Sequence, residues 1–273
     1  MKLGLCLNVD TSKDQPLNIE ILRKIRSLGY SFVELPLVTL TALSDEQLDN
    51  MVAVLEEEKL PCEVCNILLP GTIRLTGTEV SEEAIRTYLQ DAFRVVRRIN
   101  VPVVVFGSSG ARNVPEGFGH DAAFDQLVNF LLIADEYAKE AGCTIAIEPL
   151  NKLESNIVQT IAEGHRLVKA VDRENVKLLV DYYHFGREND SYDDLAEAFD
   201  SIVHVHLANV EKRSFPITLD EGYQRFLNLL VDRGYTGRYS IETSGKPEED
   251  DYRLAYEALQ QGLEQATLTG ETA

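Results

Sequence analysis

The chain has 273 residues, with 26 Lys plus Arg against 45 Asp plus Glu, giving a formal net charge of −19. That length is long for one small core, yet a single barrel of alternating strands and helices commonly runs to about 250 residues. So large an acidic excess argues against non-specific nucleic-acid binding and against a basic membrane-surface patch, both of which need clustered Lys and Arg.

The opening MKLGLCLNVD reaches an Asp by position 10, too early for a secretory leader, and reads as a first strand over 2–9. A helical pattern follows over 17–28, then a strand over 32–37 and a helix over 45–58. The pattern then repeats: strand 62–69 and helix 81–99, strand 101–108 and helix 124–141, strand 144–150 and helix 157–171. The last three units are strand 176–184 with helix 193–198, strand 202–209 with helix 223–233, and strand 238–243 with helix 251–265. Residues 267–273 read as a frayed tail. Gly29, Gly142 and Gly234 stand where helices end before the next strand, as C-cap chemistry prefers.

Eight strands alternating with eight helices predict an α/β protein, a single (β/α)8 TIM barrel forming one domain over 1–273. An open doubly wound sheet is disfavoured, since no G-x-G-x-x-G or G-x-x-x-x-G-K-[ST] follows any strand. No run approaches the roughly 18 apolar residues of a spanning helix. Four cysteines, Cys6, Cys62, Cys65 and Cys143, give no disulfide framework and predict a reduced, cytoplasmic setting. Cys62 and Cys65 form a CxxC, but three positions apart on a strand they would face opposite ways, so buried thiols are expected.

In a barrel the chemistry belongs at the C-terminal strand ends. There the last four strands carry Glu148 (TIAIEPL), Asp181 (KLLVDYYH), His206 (IVHVHLAN) and Glu242 (RYSIET). Alternation puts Ala146, Leu179, His204 and Ser240 below them, facing inward. The residues between, such as Ile145, Ile147, Val203, Val205 and Ile241, then face the helices. The four polar residues are spaced by 33, 25 and 36 residues, about one strand–helix unit each, so their side chains should converge. Three carboxylates crowded together repel unless a cation sits among them. With one imidazole the set suits one divalent metal ion: Mn, Mg, Co or Zn.

At these residues the sequence resembles the xylose isomerase-like barrels, the sugar phosphate isomerase/epimerase superfamily. In motif it is most similar to the ketohexose 3-epimerases (tagatose and allulose epimerases) and the hydroxypyruvate isomerases. The motifs that carry the resemblance are Glu148-Pro-Leu-Asn151-Lys152, Glu154, Asp181-Tyr-Tyr-His184, His204-Val-His206 and Glu242. The resemblance implies that Glu148, Asp181, His206 and Glu242 hold the metal and that His184 and Glu154 contact substrate. It implies proton transfer through a metal-stabilised enediolate on a small keto-sugar or related hydroxy-carbonyl compound, with Glu148 and Glu242 as acid and base on opposite faces. Relatives form dimers and tetramers, so a homo-oligomer is open.

The sequence departs from the epimerases after strand seven. Their Arg six residues beyond the metal His is Lys212 here, with Arg213 next, and either is a candidate for substrate contact. Glu34, at the end of strand two, is a further candidate, as a substrate contact or a buried hydrogen-bonding group. Arg74 is a candidate for a substrate phosphate, and the loop 109–120, with Arg112 and His120, for a lid. Two other functions fit the architecture. An endonuclease IV-like phosphodiesterase needs further His on strands three and four, which here offer Cys65-Asn66 and Phe106-Gly107-Ser108. A barrel that only binds metal and sugar would have a mouth too narrow for turnover or no exchange of substrate protons.

Overall fold

The computed structural model describes residues 2–270. β1 (Lys2–Cys6) leads through α1 (Ile19–Leu28) to β2 (Phe32–Pro36), α2 (Leu37–Leu40) and α3 (Asp45–Glu57). β3 (Cys62–Asn66), α4 (Glu82–Ile99), β4 (Val103–Phe106), α5 (Ser109–Arg112) and α6 (His120–Ala141) follow. Next come β5 (Thr144–Ile147), α7 (Ile161–Val171), β6 (Val176–Asp181), α8 (Tyr182–Glu188) and α9 (Tyr192–Glu197). β7 (Ile202–Leu207), α10 (Glu221–Asp232), β8 (Arg238–Ile241) and α11 (Asp251–Gly270) complete the chain. Each strand pairs in parallel with its sequence neighbours and β8 closes on β1, so the sheet is the expected (β/α)8 barrel. No helix among the described residues is long and apolar enough to cross a membrane.

Local chemistry sets the helix ends. Asn18 accepts from the backbone of Glu20 and Ile21 to start α1, and Ser44 with Gln47 forms a reciprocal cap on α3. Gly29 and Gly142 take left-handed backbone at the ends of α1 and α6, as expected. α6 begins at His120, four residues before its predicted start. α2, α5 and α8, each separated from a strand end by at most two residues, were not predicted; such short segments carry too little periodicity to be seen. α11 runs to Gly270, because Ala266 and Leu263 are buried and Thr267 Oγ1 donates back to the Leu263 carbonyl. Residues 267–270 therefore extend the helix rather than fray, and 271–273 lie outside the described residues.

The larger core lies between strands and helices and takes Ile145, Ile147, Leu178, Val180, Val205, Leu207, Tyr239 and Ile241, as alternation predicts. Inside the barrel a small apolar cluster of Phe32, Val64, Val103, Val105, Ala146 and Leu179 fills one side. Two bulges alter the predicted facing. Between β6 and β7 the register shifts at Leu178/Leu179, so Val203 packs on the inner cluster instead of the helices. Between β2 and β3 it shifts at Val33/Glu34, which puts Cys62 and Cys65 on one side with their sulfurs 3.9 Å apart. Both thiols are free and buried, and burial pushes Cys65 well above the usual thiol range.

Candidate metal and substrate site

The four strand-end residues converge. Glu148, Asp181, His206 and Glu242 each offer a ligand atom, and these atoms all lie within 4.8 Å of one another. Their positions follow from the barrel: Glu148 and Glu242 stand one residue past β5 and β8, Asp181 closes β6, and His206 pairs in register with Asp181. His206 Nδ1 faces Glu148 Oε1 at 3.2 Å and Glu242 Oε2 at 3.3 Å. Asp181 Oδ1 caps α8 by accepting from the Tyr183 backbone at 2.8 Å, while Oδ2 is buried without a hydrogen-bond partner.

The electrostatics of this cluster ask for a cation. Burial and the neighbouring Glu242 charge push Glu148 up, and burial pushes Asp181 up. Burial also opposes ionisation of Glu242, but the His206 imidazole and the Arg213 guanidinium hold it well below the usual carboxylate range. Burial disfavours a charged His206, yet Glu34, Glu242 and Glu148 around it raise it well above the usual imidazole range. Three carboxylate oxygens and one imidazole nitrogen, one oxygen orphaned, fit a hard to borderline divalent ion. Gly107 makes room for this arrangement: a Cβ there would overlap Glu148 Oε2. Gly107→Ala should therefore fold normally but displace Glu148, and metal titration should show affinity reduced about 10- to 100-fold, as when ligand geometry is disturbed. Unchanged affinity would show that Glu148 has another place to go.

His184, the last residue of the strand expected over 176–184, instead sits in α8 and is buried, because β6 ends at Asp181. Its Nδ1 accepts from the Asn151 backbone at 3.2 Å and faces Asn151 Nδ2 at 2.7 Å. The proton of a neutral ring is thereby left on Nε2, 3.5 Å from Asp181 Oδ2. Glu154 lies at the rim, its Oε1 accepting from Asn151 Nδ2 at 3.3 Å and from Arg213 Nη1 at 3.4 Å.

Lys212 and Arg213 are separated by a turn. Asn209 Oδ1 accepts from the backbones of Glu211 and Lys212, and the Asn209 carbonyl accepts from Arg213 N at 2.8 Å. With Arg213 left-handed at φ 50°, Lys212 is exposed and Arg213 turns inward. Arg213 Nη2 donates to Glu242 Oε2 at 2.5 Å and lies 3.7 Å from Asp181, with the guanidinium over the Tyr183 ring. Lys212 is thus corrected as a site residue.

Glu34 is corrected as a substrate contact. It is fully buried beneath the cluster, with Oε1 2.9 Å from His206 Nε2 and Oε2 2.9 Å from His204 Nε2. Burial would raise its carboxyl, but the two imidazoles hold it at about 2. His204 Nδ1 in turn lies 3.1 Å from the Arg238 carbonyl. Arg74 is occupied by the Gly110 and Asn113 carbonyls, and Arg112 is fully buried, donating to the Phe106 and Val158 carbonyls. These bonds pin the loop 109–120 rather than leave it as a lid, and His120 lines a separate hollow of about 260 Å³ beside Phe124 and Arg166.

Sequence reasoning missed Asn66, whose Nδ2 donates to Glu242 Oε1 at 3.0 Å. The signal was present, since Asn66 is the only strongly polar end of β3. Asn66 and Glu242 both line a cavity of about 1050 Å³ that extends under the segment following β1.

The sequence profile of the xylose isomerase-like TIM barrels matches residues 22–262. The chain is 23% identical over 253 residues to an inosose isomerase of Halalkalibacterium halodurans, covering 88% of this chain and 87% of that protein. It is 35% identical over 111 residues to a D-psicose 3-epimerase of Agrobacterium fabrum, covering 40% of this chain and 38% of that one. Among solved structures, a D-allulose 3-epimerase from Methylomonas sp. superposes with a TM-score of 0.81 at 20% identity, covering 97% of each chain. With a profile match across most of its length and the strand-end cluster in place, the chain belongs to the xylose isomerase-like TIM-barrel family.

Proposed function

We propose that the protein is a divalent-metal-dependent isomerase or epimerase of small keto-sugars or related hydroxy-carbonyl compounds. The observation that carries this reading is the convergence of Glu148, Asp181, His206 and Glu242 beside a cavity that reaches Glu242. These four would hold the ion, which supplies Lewis acidity toward a carbonyl oxygen and its neighbour. Glu148 and Glu242 come from strands on opposite sides of His206, so a substrate carbon seated between them presents one face to each. One carboxylate removes the proton beside the carbonyl and the other returns one. Arg213 keeps Glu242 ionised and oriented, and His184 presents Nε2–H toward the same space.

An endonuclease-like reading is disfavoured because β3 ends in Asn66 and β4 is followed by Gly107-Ser108, leaving no His there for further metal ions. A purely binding barrel has no support from a narrow mouth, since about 1050 Å³ is at the upper end of small-molecule sites. The test is metal analysis followed by solvent deuterium exchange into a panel of ketoses, inososes and hydroxypyruvate. Metal-loaded protein should exchange a single C–H position in one class of the panel, and protein stripped by chelator should exchange none. Metal-loaded protein inert toward the whole panel would overturn the reading.

A further inference from the structure

Resting on the reading of Glu148 as a metal ligand, we propose that Arg112 is a positioning residue for that carboxylate: its guanidinium grips the two carbonyls from which the Glu148–Leu150 segment hangs. Glu148 N donates to the Phe106 carbonyl at 3.1 Å, carrying the pairing of β4 with β5 one residue past β5. Leu150 N donates to the Val158 carbonyl, also at 3.1 Å. Arg112 Nη1 and Nη2 donate to the same two oxygens, each at 3.2 Å, and Nε lies 3.5 Å from Ser155 Oγ. A planar fork with fixed donor directions therefore sets the spacing of the two points that hold the segment.

Neither carbonyl needs Arg112 to be satisfied, since each already accepts a backbone N–H. Arg112 is nonetheless fully buried, and burying a cation against neutral oxygens is expensive. Burial pulls it down to about 10, while the Glu148 and Glu163 carboxylates push it back up. A fold that needed only packing here would be served as well by an apolar side chain. Val158 is itself left-handed at φ 57°, a costly state for a β-branched residue, with its carbonyl facing both donors. Among the described residues, Glu148 is the one member of the metal-type cluster that shares a hydrogen-bond partner with Arg112. The clamp therefore acts on one ligand of the four.

The experiment titrates Mn²⁺ by calorimetry into Arg112→Met, alone and combined with Glu148→Gln or Asp181→Asn, with folding checked by circular dichroism. Arg112→Met alone should weaken Mn²⁺ binding about 10- to 100-fold, the range for losing a group that orients a ligand. The same loss should recur in the Asp181→Asn background. Beside Glu148→Gln it should shrink below about threefold, because no carboxylate remains there to be placed. Arg112→Lys keeps the charge but not the two-armed fork, so it should bind between Arg112→Met and the wild type. Equal losses in all backgrounds would overturn the assignment, as would wild-type affinity in either single variant. Should Arg112→Met fail to fold, Arg112→Lys goes through the same combinations and is judged by the same rule. A wild type that binds no Mn²⁺ would defeat the metal reading as well, whereas binding with additive losses would defeat the clamp alone. Binding is read without turnover, so a protein inert toward ketoses that shows the selective loss keeps Arg112 in this role.

Discussion

Glu148→Gln and Glu242→Gln should each lower epimerisation or isomerisation by about 10²–10⁴-fold, the range for losing one positioned acid or base. Both replacements keep size and hydrogen-bonding shape, so the barrel should melt as a single transition near the wild-type temperature. Glu148 is the more informative position, because burial and Glu242 already favour its neutral form. Its amide variant removes a charge the metal-free protein holds reluctantly. Loss of rate therefore has to be read at saturating metal, with bound metal measured in parallel. Wild-type exchange by both variants would sink the two-carboxylate mechanism.

Glu34→Ala should affect both metal and stability, although Glu34 lies outside the metal-type cluster. Its carboxylate holds His206 through Nε2, leaving Nδ1 turned toward Glu148 and Glu242, and it holds His204 through the other oxygen. Removing such an outer partner lowers metal affinity about 10- to 100-fold. Two imidazole groups would also lose their buried partner, costing about 3–5 kcal/mol, as when one member of a buried ion pair is removed. Glu34→Gln restores one acceptor and should fall between. Metal titration with a chromogenic chelator and urea unfolding read the two effects separately; full-strength metal binding by Glu34→Ala would show that His206 is positioned by other means.

Strand alternation was enough to find Glu148, Asp181, His206 and Glu242, because a polar strand end between apolar, helix-facing neighbours is a period-two signal. It failed where a bulge adds a residue, as at Val203 and at Cys62 and Cys65. The choice between Lys212 and Arg213 was beyond spacing, since an Asn209-centred turn decides it. Glu34 was recognised as a candidate, but one strand end does not reveal whether the mouth or the barrel interior receives the side chain. Arg112 reads as a loop cation until its carbonyl partners are known. α8 was hidden because the aromatic run Tyr182-Tyr183-His184-Phe185 continues the apolar look of β6.

The column of Glu34, His204, His206 and Ser240, all fully buried, has a further consequence for assembly of the barrel. Barrel interiors are filled largely by branched apolar side chains, which tolerate a neighbour one layer up or down. Here that tolerance is confined to the side holding Phe32, Val64, Val103, Val105, Ala146 and Leu179. On the other side, β7 can satisfy both imidazoles against β2 only in one alignment. A slide by one inward layer would strand a histidine among apolar residues and leave half of the Glu34 carboxylate unmatched. Glu34, His204 and His206 therefore also act as a key for strand registration, since only one alignment satisfies all three.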